Sequence, residues 1–182
     1  LPTLPAWAIG EALSQLPFGS VWWVGFGIGS SILILIVIAE YVTVDPGDIR
    51  RVPATIALAA VAYALLLILA IIIRARGARL FIMVPTLTVA IGLVTLRMLL
   101  LQEPGKWPFI QTAIIMVISG QILAAFHYFP ISPAVFAVMF VGLAYALINM
   151  SADIGAKKSW QQIIFEPLLA LLLTWGISPW IL

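Results

Sequence analysis

Six stretches of mostly apolar residues, each near the length needed to cross a lipid bilayer, fill most of the chain: residues 21–39, 52–73, 80–101, 109–129, 133–150 and 161–182. A bilayer's hydrocarbon core is about 30 Å thick, and a helix rising ~1.5 Å per residue needs about 20 residues to cross it. In hydrocarbon, backbone N–H and C=O groups find no partner outside the segment that carries them. A helix satisfies them internally, whereas a lone strand does not, and the alternating polarity of a membrane barrel is absent. The expected fold is therefore all-α: a polytopic integral membrane protein of about six transmembrane helices with short loops.

Composition agrees. Of 182 residues, 64% are hydrophobic and 9% charged, against about 25% charged in a soluble domain. Too few charges exist to cover a water-facing surface, so lipid or other membrane subunits are the expected partners. The nine Lys and Arg are scattered over short loops rather than gathered on one face, so nucleic acid is not an expected partner. The absence of cysteine removes disulfides and thiolate metal ligands, and a single histidine argues against a multi-histidine metal site. No metal or cofactor is implied beyond contacts with lipid.

The connections are short, which sets neighbouring spans antiparallel. Asp45-Pro46-Gly47 is a turn sequence, Arg74 to Arg79 make a basic turn around Gly77, and residues 130–132 leave room only for a close hairpin. Residues 151–160 read as the last loop. Residues 1–20 form a separate amphipathic segment ahead of a single membrane domain at 21–182. Trp7, Leu13 and Leu16 recur there at near-helical spacing, which predicts a short helix in the interface or packed on the protein. This segment has no positive n-region and no long apolar core, so it does not read as a signal peptide. Trp22, Trp23, Trp107, Trp160, Trp175 and Trp180 sit at span ends, where an indole prefers the headgroup level. Arg50, Arg51, Lys106, Lys157 and Lys158 lean the side holding the first, third and fifth loops toward the cytoplasm, against the dense arginine turn on the other side. A bacterial plasma membrane is the expected setting.

Ionisable residues at membrane depth are costly and mark candidate sites. Glu40 ends the first span, Arg97 lies roughly 6 Å inside the third, and Glu166 roughly 7–8 Å inside the sixth. Gln111 and Asn149 approach the same leaflet. The five residues suggest an intramembrane polar cluster built on an Arg97–Glu166 pair. The alternative is that Arg97 snorkels to the headgroups along its aliphatic stem. Glu166, just before Pro167, would then be a first-turn carboxylate favoured by the helix dipole. His127, beside Tyr128 and Phe129, is either a pigment or haem ligand or a hydrogen-bonded boundary residue. Gln121, beside Ser119 and Gly120, suits an interhelical hydrogen bond.

Gly25, Gly27 and Gly29 resemble a dinucleotide fingerprint only on the surface, since no strand precedes them and no acid follows. Gly25 and Gly29 read instead as a small-residue face for close helix packing. Pro53 and Pro133 suit first turns, while Pro85 either kinks the third span or marks its start. Neither a zinc-protease nor a serine-hydrolase motif is present, and no matched halves suggest an inverted repeat. The primary expectation is a non-enzymatic structural or accessory subunit of a larger membrane complex. The alternatives are a small transporter or channel component using Arg97 and Glu166, and a pigment- or haem-associated subunit using His127.

Overall fold

A computed structural model describes residues 3–44, 51–102, 107–156 and 158–177. Among them are seven helices and no strand: α1 (Thr3–Leu13), α2 (Ser20–Val44), α3 (Arg51–Ala75), α4 (Leu80–Gln102), α5 (Phe109–His127), α6 (Pro133–Gly155) and α7 (Trp160–Ile177). Five of these, α2 to α6, are long and apolar enough to cross a membrane. The chain is an all-helical, multi-pass membrane protein. The sixth expected span appears as α7, whose apolar part, Ile163–Gly176, is shorter. The last expected residues of that span, 178–182, lie outside the described residues, as do the Asp45-Pro46-Gly47 turn, Arg50, Lys106 and Lys157.

Two boundaries move. The helix α2 runs on to Val44, so Glu40 lies a turn inside it rather than at its end; Thr43 Oγ1 donates to the Glu40 carbonyl at 2.8 Å within the same turn. The helix α6 continues to Gly155, so residues 151–155, expected as loop, are helical. Apolarity stops at Met150, but the i to i−4 ladder needs only helical backbone, and Ser, Ala, Asp and Ile all tolerate it.

By compactness the chain forms two units, Leu1–Leu69 and Ala70–Leu182, so that only residues 70–75 of α3 belong to the second. In the first unit, α1 lies against α2. A Cβ added at Gly29 would meet Ile9 Cγ2 at 2.6 Å, and one at Gly25 would meet Leu16 Cδ1 at 2.7 Å. The small-residue face is thus filled by the chain's own N-terminal segment, α1 and the turn that follows it. Elsewhere α2 buries only a narrow stripe, with Gly29, Ile36 and Thr43 recurring every seventh residue. Most of its remaining circumference is apolar and open.

The second unit is centred on α6, which packs along α7 and also touches α4 and α5. Phe136, Ala137, Phe140, Leu143, Ala144 and Ile148 are buried around it. Facing it, α4 buries Met83, Leu87, Ala90, Ile91, Val94 and Met98 at the three- and four-residue spacing of one helical face. The outer helix α5 buries a single stripe: Thr112, Ile115, Ser119, Leu123 and Phe126. Close approach relies on small residues. A Cβ at Gly92 would meet Met116 Sδ at 2.6 Å, and one at Gly142 would run into the Thr174 side chain.

The turns are specified locally. Ser132 caps α6 by accepting from Val135 N at 3.3 Å, and Pro133 follows in the first turn, where its missing N–H costs nothing. After α3, Gly77 takes φ +62°, and the bonds Gly77 N–H to Arg74 O and Ala78 N–H to Ile73 O close a Schellman motif. Pro85 and Pro167 both lie inside helices.

Candidate functional site

Helix α6 carries Tyr145, Asn149 and Asp153 at successive four-residue steps, so three polar side chains line one face. Helix α7 packs along α6 and brings Glu166 to that face. The Tyr145 hydroxyl donates to Glu166 Oε1 at 3.2 Å. Nearer the helix ends, Asp153 is 7% exposed, and its Oδ1 accepts from Lys158 Nζ at 2.6 Å. Lys158 is held twice, because its backbone N–H also donates to the Asp153 carbonyl at 3.2 Å. The Asp153 hydrogen bond is the main influence raising the Lys158 ammonium above its ordinary pKa of 10.5. Partial desolvation opposes it, and the charges of Asp153 and Glu166 reinforce it.

Between these groups lies an open groove of about 850 Å³. Asp153, Lys158, Gln161 and Glu166 supply its polar wall. Trp160, Ile164, Phe165 and Leu168 supply its apolar one. Three of these eight residues are charged, in a chain that is 9% charged overall, so polar chemistry and open volume meet here.

The expected Arg97–Glu166 pair is not formed. The half-buried Arg97 stands on α4, whereas α7 packs on α6, and Glu166 is bonded from α6 by Tyr145. Glu166 is also not a first-turn residue, since α7 begins at Trp160 and places it roughly 9 Å along the axis. Asn149 lies on the Tyr145–Asp153 face. Gln111 lines a different, smaller cavity of about 170 Å³ with Leu99, Trp107 and Pro108. Glu40 belongs to the first unit.

At the opposite end of the second unit, His127 ends α5, with its Nδ1 buried and without a hydrogen-bond partner. Its carbonyl accepts from Arg74 Nη1 at 3.2 Å, and the Phe129 carbonyl accepts from Nη2 at 2.9 Å. The guanidinium also lies 5.2 Å from the centroid of the Phe136 ring. Arg74 thereby satisfies two carbonyls at a helix end that has no further turn to bond them. Gln121 is exposed on α5. Among the described residues no three His, Cys, Asp or Glu side chains gather as metal ligands would.

Tyr145, Asp153 and Lys158 do not stand out from sequence alone. The available signal is the four-residue spacing from Tyr145 to Asp153, which is hidden where the apolar span stops at Met150.

A family model described as a protein of unknown function, DUF5656, matches residues 1–181. The chain belongs to the DUF5656 family. No curated protein and no solved structure matches this DUF5656 chain.

Proposed function

We propose that this DUF5656 protein is a non-catalytic structural or accessory subunit of a larger membrane assembly, packing against partner transmembrane helices. The bacterial plasma membrane is the proposed setting, with the side holding the α2–α3, α4–α5 and α6–α7 connections facing the cytoplasm.

The observation that supports this most is the surface of α2. Trp23, Val24, Ile28, Ile34, Leu35 and Ile38 are exposed on a helix that buries only one narrow stripe. Meanwhile the polar groups of the second unit are used to tie helix to helix, as Tyr145 to Glu166 and Arg74 to the end of α5. A helix with so broad an apolar face fits contact with other helices through side-chain packing.

The test is photo-crosslinking in native membranes, with a photoreactive residue placed in turn at Ile28, Leu35 and Ile38, followed by mild-detergent purification and mass measurement. A stoichiometric crosslink to one distinct membrane protein, recovered with it in the same particle, is the expected outcome. Crosslinks to lipid alone at all three positions, with a monomeric particle, would overturn the proposal.

A further inference from the structure

We propose that the α6–α7 groove binds a lipophilic monocation: a molecule with one ammonium or phosphonium centre and an aromatic or branched alkyl body, entering from the bilayer.

The charge arithmetic comes first. The described charged groups of the groove are Asp153, Glu166 and Lys158, so two acids face one base and the net charge is −1. Lys158 is committed to Asp153 at 2.6 Å. Glu166 is left with a neutral partner, the Tyr145 hydroxyl. The helix dipole does not compensate it either, because that effect fades within the first turn and Glu166 stands beyond it. A carboxylate so far along an apolar helix is expensive unless a cation joins it. An anion would meet the same carboxylate as repulsion.

The walls fit the same class of ligand. Trp160 and Phe165 are exposed on the groove, and aromatic faces attract cations whose charge is spread and weakly hydrated. Ile164 and Leu168 continue the wall with apolar surface for the body of the ligand. The volume, about 850 Å³, lies within the roughly 300–1,000 Å³ of sites that hold drug-sized molecules. A phospholipid amine fits less well. In a bilayer the amine lies outside its phosphate, whereas Glu166 lies deeper than Lys158, the basic group that would hold that phosphate.

The experiment uses the full chain in nanodiscs of phosphatidylcholine and phosphatidylglycerol, with radiolabelled tetraphenylphosphonium as probe. Saturable binding is expected, weakened about tenfold or more by Glu166→Gln and only a fewfold by Glu166→Asp. Radiolabelled tetraphenylborate, which has the same shape with the opposite charge, should show no saturable binding when measured alone on the unaltered protein. That comparison needs no variant and holds even if a substitution disturbs folding. Equal saturable binding of tetraphenylborate measured alone, or unchanged affinity in a folded Glu166→Gln protein, would overturn the proposal. Displacement of the probe by phosphatidylethanolamine in the nanodisc would overturn it too, by making the groove a lipid-headgroup site.

Discussion

The Tyr145 hydroxyl donates to Glu166 Oε1 across 3.2 Å, so the one acidic side chain inside α7 is held by α6 and not by the arginine of α4. Interhelical hydrogen bonds in membranes contribute modestly, on average about 0.6 kcal/mol and at most about 1.7. Tyr145→Phe should therefore lower stability by about 0.5–1.5 kcal/mol. Arg97→Ala should leave the α6–α7 contact unchanged. Reversible unfolding in mixed micelles, with Trp fluorescence as readout, checks both. A clearly smaller loss in Arg97→Ala combined with Glu166→Gln than the sum of the single losses would contradict the assignment, since paired residues lose their interaction only once.

Arg74 should tolerate no conservative exchange. Its two nitrogens reach two different carbonyls while its plane meets the Phe136 ring, a geometry a lysine ammonium does not reproduce. Arg74→Ala is expected to cost about 1.5–3 kcal/mol, since its hydrogen bonds involve a charged donor. Arg74→Lys should recover less than half of that. Thermal melting of the three proteins in one detergent decides it.

Gly142 sets how closely α7 approaches α6. A methyl there would overlap the hydroxyl, Cβ and methyl of Thr174. Thr174 is not free to turn away at no cost, because its hydroxyl donates to the Ala170 carbonyl at 2.8 Å. Gly142→Ala should destabilise by about 1–3 kcal/mol, the usual range for overpacking. The double variant with Thr174→Ala should recover part of that loss. Equal stability of the single and double variants would show that the two helices do not meet at this position.

The Asp153–Lys158 pair sets an alkaline limit on the α6–α7 turn. Because Lys158 has its pKa raised in the folded protein, the stabilisation is fully present below the ordinary lysine value of 10.5 and is lost as pH rises through the elevated one. Hydrogen exchange of the Lys158 amide, corrected for its intrinsic base-catalysed rate, should stay constant to about pH 10 and then accelerate. Asp153→Asn should remove the step.

Much of the architecture was legible because hydrocarbon leaves so few options. The apolar runs located α2 to α6, and Pro133 after Ser132 marked the start of α6. Hydropathy puts the end of α6 too early because it measures solvent preference, while a helix ends where its backbone bonds end, at Gly155. Equal depth suggests a pairing of Arg97 with Glu166, but depth carries no information about which helices touch. The spacing of Gly25 and Gly29 suggests a place of close approach, but spacing alone does not say what approaches; in the structure Ile9 lies against Gly29 and Leu16 against Gly25, from twenty and nine residues away.

The Arg74 contact bears on the order in which the chain is built. Its acceptors, the carbonyls of His127 and Phe129, are made 53 and 55 residues later. A nascent chain that has released α3 into the bilayer carries a guanidinium whose acceptors have not yet been synthesised. Until α5 is inserted, Arg74 must rest its charge among headgroup phosphates, and the arrival of α5 exchanges those phosphates for peptide carbonyls. The arginine thus acts as a timing mark: its final hydrogen bonds form only once the fourth of the long apolar helices has been made.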